Sequence, residues 1–407
     1  MRLLHTSDWH LGHLFCGRRR DGEFRDFLAW LLELIARESV DVLLIAGDIF
    51  DTNTPGNACA GMYYDFLTRV RRESGCRRVV ITGGNHDSPS FLNAPRGLLD
   101  AAFDIKVFGE AAEDPADEVV PVPDAAGVPA LIIGAVPYLR DADLHISNWE
   151  ESPAEGDAAR RRGFRAHYAR VAEAAERLRA GRPIPFVLTG HFAAAGAPVF
   201  EGDGVREFVG GLRQADENDL PPSADYIALG HIHQSQRVGG KEHIRYCGSP
   251  LRMSFADTKP RELLLVDFDG RQAEVTPVPV PQTREILTLR GNWEQIAPEL
   301  EALRERPDEV FCRVLAADLP PHALAAALGN MFADRRHNYP LVARSLVAPH
   351  ETEREVRSVE ELRTMTETEV FRLLLDRRGI TGETERRQLI DAFRTLLAEM
   401  REREKQP

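Results

Sequence analysis

The sequence predicts a layered α/β protein built from more than one part, and three observations carry that expectation. Over the first 270 residues, short apolar runs alternate with amphipathic stretches, the pattern of strands and helices in a sheet covered by helices. The chain has 407 residues, 43% of them apolar and 28% charged, which suits a large core and excludes a disordered chain. At roughly 150 residues per domain, two or three domains are expected. No window of about 18 apolar residues is present, so no membrane span is expected. The start, Met1 to Asp8, turns polar after two leucines, which reads as neither signal peptide nor anchor and makes the cytoplasm the expected compartment. Cysteines 16, 59, 76, 247 and 312 are odd in number, far apart and free of any C-x-x-C, so reduced thiols are expected rather than disulfides or a zinc knuckle.

Strands are predicted at 2–6, 42–46, 78–82, 131–135, 185–189, 226–229, 244–247 and 263–268, where β-branched and aliphatic residues cluster. Helices are predicted at 23–37, with Phe24, Phe27, Leu28, Leu31, Leu34 and Ile35 on one face, and at 57–70, with Met62, Phe66, Leu67 and Val70. Pro277-Val278-Pro279-Val280-Pro281 removes backbone donors repeatedly, so it reads as an extended linker or edge segment, and a boundary is expected near 282. Strands at 285–289, 310–315 and 341–347, with helices at 294–304 and 322–332, predict a small α+β module over residues 283–350. Charged residues with spaced apolar ones follow. They predict two C-terminal helices within 351–407: one at 367–378, opened by a Thr366 and Glu369 capping box, and one at 383–403.

The residues able to bind metal fall just past the ends of apolar runs. Asp8 and His10 follow the first, Asp48 the second, Asn85 and His86 the third, His191 a later one, and His231 and His233 the next. In α/β sheets that edge is where ligands gather, so separated segments can converge there. Gly47, Gly83 and Gly84, Gly190 and Gly230 stand immediately before these residues and are read as sharp turns that bring the side chains inward. A lone D-x-H is a weak signal, G-N-H-D and G-H-I-H are stronger, and the set in order is specific.

Two close divalent cations can bind a phosphodiester and activate water, and holding them together requires a bridging anion, for which Asp48 is the candidate. Mixed imidazole and oxygen donors suit manganese, iron or zinc better than magnesium. Asp8, His10 and one of the two G-H-I-H histidines can complete one cation, with Asn85, His191 and the other histidine completing the second. His86 is left for proton transfer or transition-state charge, with Asp87 expected to orient its imidazole.

The ordered set Asp8-Trp9-His10, Gly47-Asp48-Ile49-Phe50-Asp51, Gly84-Asn85-His86-Asp87, Gly190-His191 and Gly230-His231-Ile232-His233 resembles the calcineurin-like metallophosphoesterase superfamily. Longer phrases are similar to its bacterial SbcD branch, nuclease subunits that work with the SbcC ATPase. These are His5-Thr6-Ser7-Asp8-Trp9-His10-Leu11-Gly12, the run from Ala224 to His233, and Arg245-Tyr246-Cys247-Gly248-Ser249-Pro250. The likeness is strong from Met1 to about Phe268 and weaker beyond, and Leu251-Arg252-Met253 departs from a stretch that usually contains proline. The resemblance implies a two-sheet sandwich flanked by helices over 1–282, a capping domain over 283–350, and C-terminal helices over 351–407 that dock on SbcC. It implies two manganese ions per chain, one held by Asp8, His10, Asp48 and His233 and the other by Asp48, Asn85, His191 and His231, with His86 catalytic. It further implies double-strand exonuclease and single-strand or hairpin endonuclease action on DNA ends and hairpins, in repair, recombination and replication. The assembly implied is a homodimer, joined through the helix at 57–70 and the segment after Pro89, within a heterotetramer.

Composition weighs the alternatives. With 51 basic against 64 acidic residues, the net charge of −13 argues against a passive binder of nucleic acid working by a wide basic surface. The clusters at 18–20, 71–72 and 160–162 read first as solvated faces. A phosphoesterase acting on small molecules or phosphoproteins would use the same metal residues, but needs neither the extra module nor the terminal helices. An inactive scaffold would not need all seven ligands and His86. No G-x-x-x-x-G-K-[ST] is present, so ATP dependence must come from another protein chain.

Overall fold

Alternation of apolar residues at period two builds both sides of each central strand. Leu3, Val42, Leu44 and Val80 face one way, and Leu4, Leu43, Ile45, Val79 and Ile81 face the other, all buried. The structure, a computed structural model, describes residues 1–144, 153–194, 215–334, 337–347 and 366–377, together with 386–387, 389–394 and 397. Met1–Ser345 forms one compact unit and Leu346–Pro407 a second.

The first sheet contains β1 (Arg2–Thr6), β2 (Val42–Ala46), β3 (Arg78–Thr82) and β4 (Ile105–Phe108), all parallel. The second contains β5 (Val119–Pro123), β6 (Pro129–Gly134), β7 (Phe186–His191), β8 (Tyr226–Gly230), β9 (Gln236–Val238) and β10 (Lys241–Tyr246), in the order β5-β6-β7-β8-β10-β9. β11 (Glu262–Asp269) and β12 (Gln272–Pro279) return antiparallel to complete the first sheet in the order β12-β11-β1-β2-β3-β4. The two sheets enclose a core that includes Leu3, Leu44, Val80, Ile133, Val187 and Ala228. Helices α1 (Asp21–Arg37) and α2 (Asn57–Glu73) cover the outer face of the first sheet, followed in sequence by the short α3 (Pro89–Asn93) and α4 (Arg96–Phe103). Helix α5 (Pro153–Arg179) covers the second through Phe164, Tyr168 and Val171. The sequence predicts no helix there, because its inward stripe includes Ala172 and Ala175 and the rest is charged, so the apolar signal is weak.

The proline-rich segment lies at a sheet edge. β12 pairs with β11 along Glu262–Asp269 and has no strand on its other side among the described residues, so Pro277 and Pro279 interrupt no central ladder. Beyond it, β13 (Ile286–Gly291), β14 (Phe311–Ala316) and β15 (Val342–Ser345) form a parallel sheet, alternating with α6 (Trp293–Glu305) and α7 (Pro321–Met331). This module has its own core, including Ile296, Leu300, Val314, Leu324, Leu328 and Phe332. It joins the rest of its unit through Phe15, Phe255 and Phe311. Phe15 stacks on Phe311 at 5.0 Å and meets Phe255 edge-on at 4.9 Å, while Arg284 lies over Phe311 at 4.5 Å.

One arginine of the 18–20 cluster is not solvated. Arg20 is buried, paired with buried Glu23 at 2.6 Å and donating to the Arg252 carbonyl, and Glu23 in turn holds Arg284 at 2.8 Å. In the 160–162 cluster, Arg160 pairs with Asp141 and Arg161 with Asp219.

In the second unit, α8 (Glu367–Arg377) opens with the expected reciprocal capping box, Glu369 N–H to Thr366 Oγ1 at 3.3 Å and Thr366 N–H to Glu369 Oε2 at 2.8 Å. Phe371 stacks on Phe393 at 4.1 Å. Of the helix expected at 383–403, only 386–387, 389–394 and 397 are among the described residues, and the boundary at 350 lies outside them. Among the described residues no helix is long and apolar enough to cross a membrane.

Phe311→Ala removes the ring on which Phe15 and Arg284 converge. We expect it to lower the unfolding free energy by about 3 to 5 kcal/mol, the usual cost of deleting a buried phenyl group. Urea unfolding followed by tryptophan fluorescence reads this, and an unchanged midpoint would refute the anchoring role.

Candidate metal centre

The carboxyl ends of β1, β2 and β3 from one sheet meet those of β7 and β8 from the other, bringing all seven candidate ligands and His86 together. Asp8, His10, Asp48, Asn85, His191 and His233 are buried, and His231 and His86 are partly exposed. Asp48 Oδ2 lies 3.5 Å from His10 Nε2 and 3.3 Å from His191 Nε2, so one carboxylate oxygen is reached from both sides. On one side His10 Nε2 stands 3.1 Å from His233 Nε2, and donor atoms of Asp8, His10 and His233 lie within 4.8 Å of one another. On the other, Asn85 Oδ1 stands 3.0 Å from His191 Nε2 and 2.9 Å from His231 Nδ1. A second grouping within 4.8 Å joins His10, Asp48 and His86. Imidazoles and oxygen donors arranged around a shared carboxylate at this spacing fit a pair of divalent cations of intermediate softness.

The backbone is contorted at the candidate ligands more than at the glycines. Asp8, His10, Asp48 and His231 have φ of 52°, 46°, 50° and 97°, a region that costs a side-chain-bearing residue about 1–3 kcal/mol. Of the five glycines read as turns, Gly47 alone has positive φ, at 87°. The others serve close approach. A Cβ on Gly84 would strike Asp48, one on Gly230 would strike the Ala46 carbonyl and His191, and one on Gly83 would strike Gly109. The glycines let two sheet ends touch, and the ligands themselves make the sharp bends.

Asp87 does not orient His86. Its carboxylate accepts N–H groups from Gly84 at 2.9 Å, Ile49 at 3.1 Å and Phe50 at 3.0 Å, tying the loop after β2 to the loop after β3. His86 is held by Asp51 instead, its Nδ1 lying 2.9 Å from the Asp51 carbonyl, while the Asp51 carboxylate stands 3.4 Å from His10 Nδ1. Asp8 is fixed at both oxygens, by the His231 N–H at 2.9 Å and by the Ser7 hydroxyl. Ser7, Asp51 and Asp87 all lie inside the sequence motifs, but only the fold reveals which groups they grip. The mouth of the centre is a cavity of about 530 Å³ walled by His10, Asn85, His86 and His233, with His13 and Met253 beside them.

Burial opposes charge throughout the cluster, and mutual pairing decides each group. Burial raises the Asp48 carboxyl, but His191, His10 and His86 outweigh it and hold it well below the usual range. Burial lowers His191, yet the Asp48 carboxylate, then Asp8 and the Ala46 carbonyl, lift it to about 9. Burial pushes His231 down to about 3 and, with repulsion from Asp48, pushes Asp87 up to about 6.

Comparison with known proteins gives the family. Residues 1–235 match the calcineurin-like phosphoesterase family. The D chain of the SbcCD nuclease of Escherichia coli K12 is 37% identical over 316 residues, which cover 76% of each chain. The protein of the same description from Rhodobacter capsulatus is 32% identical over 346 residues, 81% of this chain and 83% of that one, and that from Bacillus subtilis 32% over 261 residues, 63% of each.

Asp87→Ala leaves three buried N–H groups without an acceptor, each worth about 1–3 kcal/mol. Unfolding in chelator should show that loss, and a smaller one for Asp87→Asn, which keeps an acceptor oxygen. Equal stability of all three proteins would contradict the tie.

Proposed function

As a member of the calcineurin-like phosphoesterases and, among them, of the SbcD nuclease subunits, the chain is a metal-dependent phosphodiester hydrolase, and we propose that it is the manganese-dependent DNA nuclease of an ATP-dependent SbcCD complex. It acts on DNA ends and hairpins as a double-strand exonuclease and single-strand endonuclease, in cytoplasmic DNA repair, recombination and replication. The SbcC ATPase is its partner, and two copies of each protein form the heterotetramer. Residues 1–282 are the nuclease domain, 283–350 the capping domain and 351–407 the helices that dock on SbcC.

The observation that carries this reading is Asp48 Oδ2 standing between His10 and His191. Asp8, His10, Asp48 and His233 hold one manganese ion, and Asp48, Asn85, His191 and His231 the other. A bound pair neutralises phosphate charge and activates water. The chain's residues do the rest. Asp48 sets the spacing, because its single carboxylate must satisfy both halves. His86, with Nδ1 committed to the Asp51 carbonyl at 2.9 Å, exchanges a proton through Nε2 with the leaving oxygen. The cavity of about 530 Å³ at the mouth opens beside His86, and the net charge of −13 makes DNA binding depend on the cations and on local arginines rather than on a wide basic face.

Four experiments test this. Asp48→Asn should lose manganese binding and cleavage together while the fold persists, and full nuclease activity in that variant would refute the two-metal assignment. His86→Ser should keep two manganese ions per chain by metal analysis yet cleave DNA about 10² to 10⁴ times more slowly. Loss of the metals as well would make His86 a ligand. Deleting residues 359–407 should abolish co-purification with SbcC and ATP-dependent cleavage, leaving manganese-dependent cleavage of simple substrates measurable. Incubation with manganese and either labelled duplex DNA or an aryl phosphate separates a nuclease from a small-molecule phosphatase.

A further inference from the structure

The phrase Tyr246-Cys247-Gly248-Ser249 supplies no candidate ligand, yet as it leaves β10 it touches three of the segments that do. The buried Tyr246 hydroxyl donates to the Phe192 carbonyl at 2.6 Å and accepts the Ala194 N–H at 2.9 Å, gripping the chain just after His191. Cys247 Sγ lies 3.1 Å from Ser7 Oγ, and Ser7 donates to Asp8 Oδ2. A hydroxyl has one proton. With that proton committed to Asp8, the Ser7 oxygen is left to accept, and the Cys247 thiol, which also lies 3.6 Å from the Gly248 carbonyl, is placed to donate to it. Burial pushes the thiol up, which keeps it protonated. Gly248 has φ of 79°, and a Cβ there would stand 2.7 Å from both the His233 carbonyl and the Ser235 nitrogen, so only glycine passes. Ser249 N–H then donates to the His233 carbonyl at 3.0 Å.

We propose that residues 246–249 are a positioning segment for the metal centre: through hydrogen bonds to the segments carrying His191, Asp8 and His233, they set the cation affinity of both halves. Groups behind ligands tune affinity by fixing ligand direction, commonly about 10- to 100-fold. Tyr246 serves the half containing His191, and Cys247, through Ser7, the half containing Asp8. In this arrangement Cys247 acts as a hydrogen-bond donor.

The proposal rests on the two-cation reading, and the test keeps the two apart. Full-length wild type, Tyr246→Phe, Cys247→Ala and Cys247→Ser are stripped of metal, titrated with manganese by calorimetry and by the electron paramagnetic resonance of free ion, and unfolded thermally in chelator. Tyr246→Phe removes only an oxygen and Cys247→Ser keeps a donor, so both preserve packing. Tyr246→Phe and Cys247→Ala should each weaken one of the two manganese sites about 10- to 100-fold, with the other within about threefold of wild type. Cys247→Ser should return the affected site to within about threefold of wild type. If Tyr246→Phe and Cys247→Ala bind two ions with wild-type constants, or if Cys247→Ser binds as weakly as Cys247→Ala, the positioning role is refuted. If both sites weaken together in proportion to a lowered unfolding midpoint in chelator, the segment is packing only and the proposal fails. Wild type that binds fewer than two ions overturns the two-cation reading itself.

Discussion

A carboxylate buried at the seam between two sheets is the constraint on which this structure depends. Asp48 is sealed from bulk water, so cationic or hydrogen-bonding groups must come to it. They come from both sheets, as His10 from the first and His191 from the second, both within 3.5 Å of Oδ2. For that to happen the strand ends must nearly touch, which is why a methyl group on Gly84 or Gly230 would collide with Asp48, the Ala46 carbonyl or His191. The spacing of the two halves is thus a property of sheet packing. The core between the sheets, with Leu44 and Val80 against Ile133 and Val187, holds it.

Strain at the centre is offset by ties that have no part in ligation. Four candidate ligands sit at positive φ, and each lies on a loop held from outside: Asp87 binds three amides across two loops, Asp51 holds His10 and His86, and the exit of β10 reaches the others. A cluster of carboxylates and imidazoles that repel or desolvate one another stays assembled only because its backbone is over-determined.

The module at 286–345 is connected to this centre through shared loops. Phe15 belongs to the loop that follows His10, and Phe255 comes two residues after Met253, which lines the cavity. Both rings pack on Phe311 of the module, and the buried Arg20 and Glu23 pair adds Arg284 to the same contact. The unusual Leu251-Arg252-Met253 fits this scheme: Leu251 enters the core, the Arg252 carbonyl receives Arg20, and Met253 reaches the cavity.

The strands that carry the centre are legible in the order of residues, because a fully buried parallel strand needs a continuous apolar run and the polar residues that follow it then stand out. That logic yields β1, β2 and β3, and the placing of Asp8, His10, Asp48, Asn85, His86, His191, His231 and His233 at strand ends. The family rests on the resemblance of the ordered aspartate, asparagine and histidine motifs and on the match over residues 1–235. Helix α5 was hidden by its alanines and charges, and the proline-rich edge strand was ambiguous, because none of its residues is fully buried and its prolines read equally well as a linker. What each polar neighbour does became visible only in three dimensions: Asp87 binding backbone, Asp51 holding two histidines, Arg20 buried rather than solvated, and Tyr246 and Cys247 reaching back to the segments of His191 and Asp8. These are contacts between residues far apart in the chain, and a hydrogen bond's partner is chosen by distance and direction in space, which no local spacing encodes.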